Sequence, residues 1–349
     1  MSSDNESGTM NTLMIYGATG YTGRMAAAEA AAAGLNPVLA GRTAHTLAAL
    51  ATELGLGYRV FGLDDPAEID SALSDVSVLL NCAGPYARTA EPLMTAAIRA
   101  GTDYLDVAAE LDSYHLAQTL ESKAVAAGVM LLPGSGGSVA MLGSLAAHAA
   151  RRIDGAVDHV SIALHVAGSM SRGSAISAAE NLTVQCLHRV SGELIEQDPH
   201  HTRMFDFGAG PATCFPVTLP DLVSLWKSTN APNIDTYVHV SGDAFPEGDL
   251  AALPDGPTQE ERDANRYQAS VAVTGRNGQA VSAILDTVNG YTFTPMAAIA
   301  AARRVLTGER TPGFRTPADV FGYEFAGTIA DTRIIDLCDI RDEFSTDDR

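Results

Sequence analysis

"IYGATGYTG", residues 15–23, sets Gly17, Gly20 and Gly23 three apart behind the apolar run Leu13-Met14-Ile15-Tyr16. A helical pattern follows directly. This is the grammar of a strand, a glycine turn and a helix that cradles a dinucleotide, in its spaced GxxGxxG form. On that reading Gly17 allows the tight turn, Gly20 lets backbone amides approach a pyrophosphate, and Gly23 permits close packing of helix on sheet. Free N–H groups at the positive helix end then supply an anion site without a basic surface. Thr19 and Thr22 add hydroxyl donors, Tyr21 stands between them in the cradle, and Arg24 adds a charge. A plain strand-to-helix turn would need the same small residues, so the context decides.

The context is strand–helix alternation. Apolar runs bounded by turn signals recur at 12–16, 37–40, 58–63, 76–82, 104–107 and 129–132. Ala- and Leu-rich segments of helical spacing lie between and after them, at 22–33, 43–54, 66–73, 90–100, 113–127 and 138–151. Gly34, Gly55, Gly101 and Gly128 fall just past four of these helices, where a left-handed cap is wanted. Short connections between alternating elements predict βαβ units and a doubly wound parallel sheet of the Rossmann kind.

The cofactor's sub-type follows from the end of the second strand. NAD-binding versions carry a carboxylate there for the ribose 2′-OH. Here the chain reads "VLAGRT", with Gly41, Arg42 and Thr43 and no acid. A guanidinium pairs well with a 2′-phosphate, so Arg42, with Thr43 as a second donor, points to NADP(H). Asp64, after the third strand, could accept from the adenine amino group or serve as a loop carboxylate.

Composition excludes whole classes of function. The 349 residues carry 22 basic against 42 acidic side chains, a net charge of −20, which argues against nucleic acid and anionic membranes as partners. Residues 1–11 read as a polar, flexible tail and no apolar run has spanning length, so a cytoplasmic protein is expected. The four cysteines lie far apart and His200-His201 have no companion spacing, so neither a disulfide framework nor a metal site is expected.

After residue 153 the pattern changes to strands, a helix over 174–188 and a hairpin around Asn277-Gly278. This predicts a second α+β domain with a mixed or antiparallel sheet. The expected division is a tail (1–11), a dinucleotide-binding domain (12–152), a substrate and dimerisation domain (153–310), and a C-terminal helix returning toward the nucleotide domain (311–349). Residues 244–263, acidic and rich in Pro and Gly, read as a surface excursion, either a lid or disordered.

The stretch "VLLNCAGPYARTAEPLMTAAIRAGTDYLDVAAE" (78–110) resembles the saccharopine dehydrogenase-like reductases. Asn81, Gly84, Pro85 and Tyr86 match that family's loop after strand four, and Ala100, Gly101, Tyr104, Asp106 and Glu110 match its fifth-strand segment. "SMSRGSAISAAENL" (169–182), "GYTFTPMAAIAAARRVLTG" (290–308) and "RTPADVFGYEFAGTI" (315–329) resemble its later segments. The family includes the short trans-acting enoyl reductases. Ser174 in place of Thr and the "PGSGGSVAML" loop depart from the pattern and bar a transfer of substrate identity.

The resemblance implies an NADPH-dependent reductase acting on a polarised C=C, C=N or C=O of a small metabolite. Amino-acid dehydrogenation of the saccharopine type and a non-catalytic NADP(H)-binding sensor or scaffold are the alternatives. Asn81, Ala83, Gly84 and Pro85 would border the cofactor. Tyr86 is the first candidate proton donor, at the carboxyl edge of the sheet where ligands bind. Arg172 would hold a substrate carboxylate or carbonyl, and Glu110 would relay a proton; Asp106 reads as a cap for the next helix and Tyr291 as core. A homodimer is sought at the strand edges of the second domain.

Overall fold

The structure, a computed structural model, describes residues 11–181, 185–242 and 249–337. Residues 1–10, expected as a tail, and parts of the predicted helix, excursion and C-terminal segment (182–184, 243–248, 338–349) lie outside the described residues.

The first half builds the expected alternation: β1 (Leu13–Tyr16), α1 (Tyr21–Ala32), β2 (Val38–Gly41), α2 (Ala44–Leu54), β3 (Tyr58–Val60), α3 (Pro66–Leu73), β4 (Val78–Asn81), α4 (Tyr86–Ala100), β5 (Asp103–Asp106), α5 (Leu111–Ala127), β6 (Met130–Leu132) and α6 (Gly137–Ala150). The strands β1, β4, β5 and β6 are buried at every position, which is why they read as continuous apolar runs, not alternating ones. They pair in parallel in the order β3-β2-β1-β4-β5-β6, so the direction of winding reverses between β1 and β4. Gly55, Gly101 and Gly128 take the left-handed conformation at their helix ends, as expected.

The second half comprises β7 (Val157–Ala167), α7 (Arg172–Asn181), β8 (Leu187–Val190), β9 (Glu193–Glu196), β10 (Arg203–Asp206), β11 (Pro211–Pro216), α8 (Asp221–Thr229), β12 (Asn233–Ser241), α9 (Gln259–Ala264), β13 (Tyr267–Gly275), β14 (Ala280–Thr287) and α10 (Gly290–Leu306), followed by β15 (Gly313–Phe314), α11 (Pro317–Phe321) and β16 (Arg333–Leu337). Its sheet runs β10-β11-β12-β7-β13-β14-β16 and is mixed, with β12 and β7 parallel and the other neighbours antiparallel. One apolar core spans both halves: Ile15, Leu80 and Leu105 belong to the same cluster as Leu142, Ile162, Val271, Leu285 and Phe293. The helix α6 leaves the first sheet and packs against the second through an almost wholly buried surface.

Two expectations are corrected. The helix predicted over 174–188 yields to a strand at Leu187, because Ser191 and Gly192 both take positive φ and close a β8–β9 hairpin. The C-terminal segment does not return as a single helix. Pro312 and Gly313 (φ +95°) interrupt it, and β15 adds a seventh parallel strand beside β6. A short α11 follows and β16 pairs with β14 in the other sheet. In the described part of the excursion, residues 249–263, a 3₁₀ turn (Leu250–Ala252) leads to α9, opened by a Thr258–Glu261 capping box.

Candidate functional site

The glycine turn places the first helix end against the β4 loop. Gly17 takes φ +77°, and a Cβ there would lie 2.8 Å from the Ala83 nitrogen. A Cβ at Gly23 would lie 2.2 Å from the Gly17 oxygen, so α1 can approach its own strand turn only with glycine at that position. Gly20 occupies the N-cap with no capping side chain, and its N–H donates to the Gly17 carbonyl at 3.0 Å. The amides of Tyr21, Thr22 and Gly23 begin the helix, where no intrahelical acceptor exists. Arg24 folds back to donate to the Thr19 carbonyl at 3.1 Å. A cradle walled by glycines and opened by helix N–H groups fits the pyrophosphate of a dinucleotide.

Arg42 is exposed at the end of β2, and among the described residues its guanidinium makes no hydrogen bond or ion pair. Thr43, at the N-cap of α2, is exposed as well and makes no side-chain cap. Asp64 lies exposed beyond β3, and its neighbour Asp65 is the one that caps α3, accepting from the Ala67 N–H at 2.9 Å.

The ends of β4, β5 and β6 are tied by one buried polar chain. Asn81 accepts from the Ala83 N–H (2.9 Å) and donates to Thr89 (3.2 Å) and to the Tyr104 hydroxyl (3.1 Å). Tyr104 in turn donates to Asp106 at 2.9 Å. Asp106 also accepts from the backbone N–H groups of Ala108 (3.0 Å) and Gly134 (2.8 Å). Burial pushes its carboxyl up to about 6 against the pull of these donors. Asp106 therefore clasps two loops and does not cap α5, whose first residue is Leu111.

The candidate reaction residues are spread around this edge. Tyr86 opens α4 after Gly84 and Pro85; it is buried and donates inward to the Asn81 carbonyl at 3.4 Å, and burial raises its phenol well above the usual value. Glu110 stands at the start of α5 and accepts from the Ala109 N–H (2.9 Å) and from the Ser177 hydroxyl of α7, in the second half of the chain (2.7 Å). Arg172, the first residue of α7, donates to the Leu253 carbonyl at 3.2 Å and pairs with Asp255.

Two features escape a reading of local sequence. The excursion lies across the cradle: the Tyr21 hydroxyl donates to the Pro257 carbonyl, and Arg262 of α9 donates to the Tyr21 oxygen at 2.8 Å. Tyr291, expected as core, is only partly buried; its ring meets that of Tyr21 edge-on at 5.6 Å and its oxygen accepts from the Ser171 N–H at 2.8 Å. The contacts join residues 236 and 120 positions apart, and no spacing rule reaches that far.

Fold and site together define a Rossmann-type parallel sheet with a glycine turn suited to a dinucleotide, joined through one continuous core to a second, mixed sheet. Residues 13–132 match the family model described as the saccharopine dehydrogenase NADP binding domain. Over that stretch, about a third of its length, the chain is similar to the saccharopine dehydrogenase-like proteins.

Among its relatives, the trans-acting enoyl reductase of Mycobacterium ulcerans (strain Agy99) is 33% identical over 117 residues, covering 30% of this chain and 28% of that protein. The saccharopine dehydrogenase-like oxidoreductase of Bos taurus is 29% identical over 144 residues, covering 36% of this chain and 34% of the other. The matched stretch thus spans at most 34% of these relatives' own length. Apo saccharopine dehydrogenase (L-Glu forming) from Saccharomyces cerevisiae shares the fold, with a TM-score of 0.65 at 14% identity over 94% of this chain and 100% of that one.

Proposed function

We propose that this chain is an NADP(H)-dependent oxidoreductase that reduces a polarised double bond of a small metabolite held between the two domains. The observation that carries the reading is the glycine-walled cradle with an exposed Arg42 at the end of β2 that is unpaired among the described residues. Gly17, Gly20 and the amides of Tyr21 and Thr22 would hold the pyrophosphate, and Arg42 and Thr43 the 2′-phosphate. Ala83, Gly84 and Pro85 would border the dinucleotide from the β4 side, and Asp64 the adenine.

When bound, the reduced nicotinamide supplies a hydride; the chain's residues orient the acceptor and move the proton. Glu110 and Ser177 form a hydrogen-bonded pair between the two halves of the chain suited to proton relay. The inward-facing Tyr86 is read as support for the loop it opens. Arg172 is neutralised by Asp255, which favours an uncharged acceptor, an enone or enoyl group, over the multiply charged substrate of an amino-acid dehydrogenase. That the mycobacterial relatives are trans-acting enoyl reductases supports the same choice.

Fluorescence titration with NADPH and NADH, on the wild type and on Arg42→Ala, tests the reading. Loss of one charge-assisted contact of about 1.5–3 kcal/mol should weaken NADPH binding roughly tenfold or more and leave NADH nearly unchanged. Equal, weak binding of both, indifferent to the substitution, would refute it. Tight binding without turnover of enones, imines or carbonyls would favour a sensor or scaffold.

A further inference from the structure

The proton that must accompany hydride transfer has a better source than Tyr86. We propose that Tyr291 is the general acid of this site, an assignment that rests on the reductase reading. Tyr291 is the second residue of α10, whose cap Asn289 accepts from the Tyr291 N–H at 3.0 Å. Its hydroxyl oxygen accepts from the backbone N–H of Ser171 at 2.8 Å. Among the described residues its own proton has no acceptor.

Both surroundings suit the charge that appears when that proton leaves. A backbone N–H aimed at the phenolic oxygen acts as an oxyanion donor, and the first turn of a helix favours negative charge. Tyr86 has neither the open proton nor the exposure.

Position agrees with the role. The Tyr291 ring lies edge-on to Tyr21, the first residue of the cradle helix, at 5.6 Å. One turn further along α10, Thr294 abuts the loop after β6: a Cβ on Gly136 would lie 2.5 Å from its carbonyl oxygen. Ser171 precedes α7, which carries Ser177 to Glu110. Tyr291 thus touches the cradle helix and the second-domain segment that reaches Glu110, on the same helix that meets the β6 loop at Thr294.

The step balances as follows. For an enone, the acceptor's β-carbon gains a hydride, with its electron pair, from the reduced nicotinamide, which leaves oxidised. The C=C π electrons shift toward the carbonyl, and the α-carbon takes the Tyr291 proton. The phenolate left behind is held by the Ser171 N–H and, Tyr291 being partly exposed, is reprotonated from solvent. Two electrons and two hydrogens are added in total, as one hydride and one proton.

The test uses Tyr291→Phe, which keeps the ring packed on Tyr21, with NADPH and crotonyl-N-acetylcysteamine, cyclohexenone and an aryl imine as probe acceptors. The expected result is a fall of roughly 10²-fold or more in single-turnover NADPH oxidation, with NADPH affinity by fluorescence titration unchanged within about twofold. A second readout needs no turnover: nitration of the apoprotein, located by mass spectrometry, should mark Tyr291 along with the exposed Tyr58, and crotonyl-N-acetylcysteamine should protect Tyr291 alone. An active wild type with an equally active Tyr291→Phe would overturn this assignment and leave the reductase reading standing. So would nitration of Tyr58 without Tyr291. A wild type that neither binds NADPH nor reduces any probe would overturn both.

Discussion

The Tyr104 hydroxyl donates to the Asp106 carboxylate at 2.9 Å while it accepts from the Asn81 side-chain amide at 3.1 Å, so that one phenol joins the ends of two neighbouring strands. The same carboxylate receives the N–H groups of Ala108 and Gly134, which shape the loops after β5 and β6. Among the described residues no cation pairs with it, and burial raises its carboxyl to about 6.

The sign of the consequence follows. A carboxyl whose folded value lies above its unfolded one stabilises the fold fully below about pH 4 and loses that contribution as pH rises through about 6. Asp106→Asn keeps an oxygen for the two amides and cannot ionise. Urea denaturation across pH 4–8 should show the wild type losing about 2 kcal/mol relative to the variant over that window. Parallel curves would mean that Asp106 stays ionised in the fold.

Asp235 carries the opposite sign. Burial alone would raise its carboxyl, but hydrogen bonds from His159 (2.7 Å) and His188 (3.0 Å) outweigh it and hold the group at about 2. Its contribution is present above about pH 4 and fades as pH falls through about 2. Asp235→Asn should cost about 2 kcal/mol at neutral pH, and the difference should vanish near pH 2. Thermal melts of both proteins at several pH values check this.

Two glycines separate packing from backbone strain. Gly23→Ala would drive a methyl into the Gly17 oxygen, so α1 must move and the cradle with it. A loss of about 1–3 kcal/mol in stability and roughly tenfold or more in NADPH affinity is expected. Gly34→Ala meets open space and strains only a φ of +74°, at about 1 kcal/mol, with NADPH affinity unchanged. Calorimetry and fluorescence titration on the pair distinguish the two effects.

The legible part of this protein was local. Glycine spacing in residues 17–23 and alternating runs in the first half specify the parallel sheet because each βαβ unit is built from neighbours in sequence. Asn81, Tyr104 and Asp106 were legible as motif residues, and the structure joins them into one chain of hydrogen bonds. What local reading missed depends on distant pairing. Phe314 becomes a strand because the edge of β6 is open beside it, and Tyr291 leaves the core because Ser171 and Tyr21 meet it from other elements. The acidic stretch 244–263 looked like a free excursion because its polarity is apparent in sequence and its landing place is not.

That landing place yields the last prediction. The Tyr21 ring is enclosed by Gly256, where a Cβ would fall 2.6 Å from it, and by Tyr291, while its hydroxyl is held by Pro257 and Arg262. Arg262 also donates to the Pro257 carbonyl (2.9 Å) and to Thr292 (3.2 Å), so one guanidinium pins the strap to the cradle helix and to α10 at once. Arg262→Gln removes the charge and most of this reach. A hydrogen bond to a charged donor contributes about 1.5–3 kcal/mol, equivalent to roughly a 10- to 100-fold change in a local opening equilibrium. Hydrogen exchange by mass spectrometry should therefore accelerate by about that factor in peptides covering 249–264, with β1, β4 and β5 unaffected. The strap is independent of the arginine if exchange there is unchanged. If exchange rises everywhere, Arg262 supports the whole domain interface and not the strap alone.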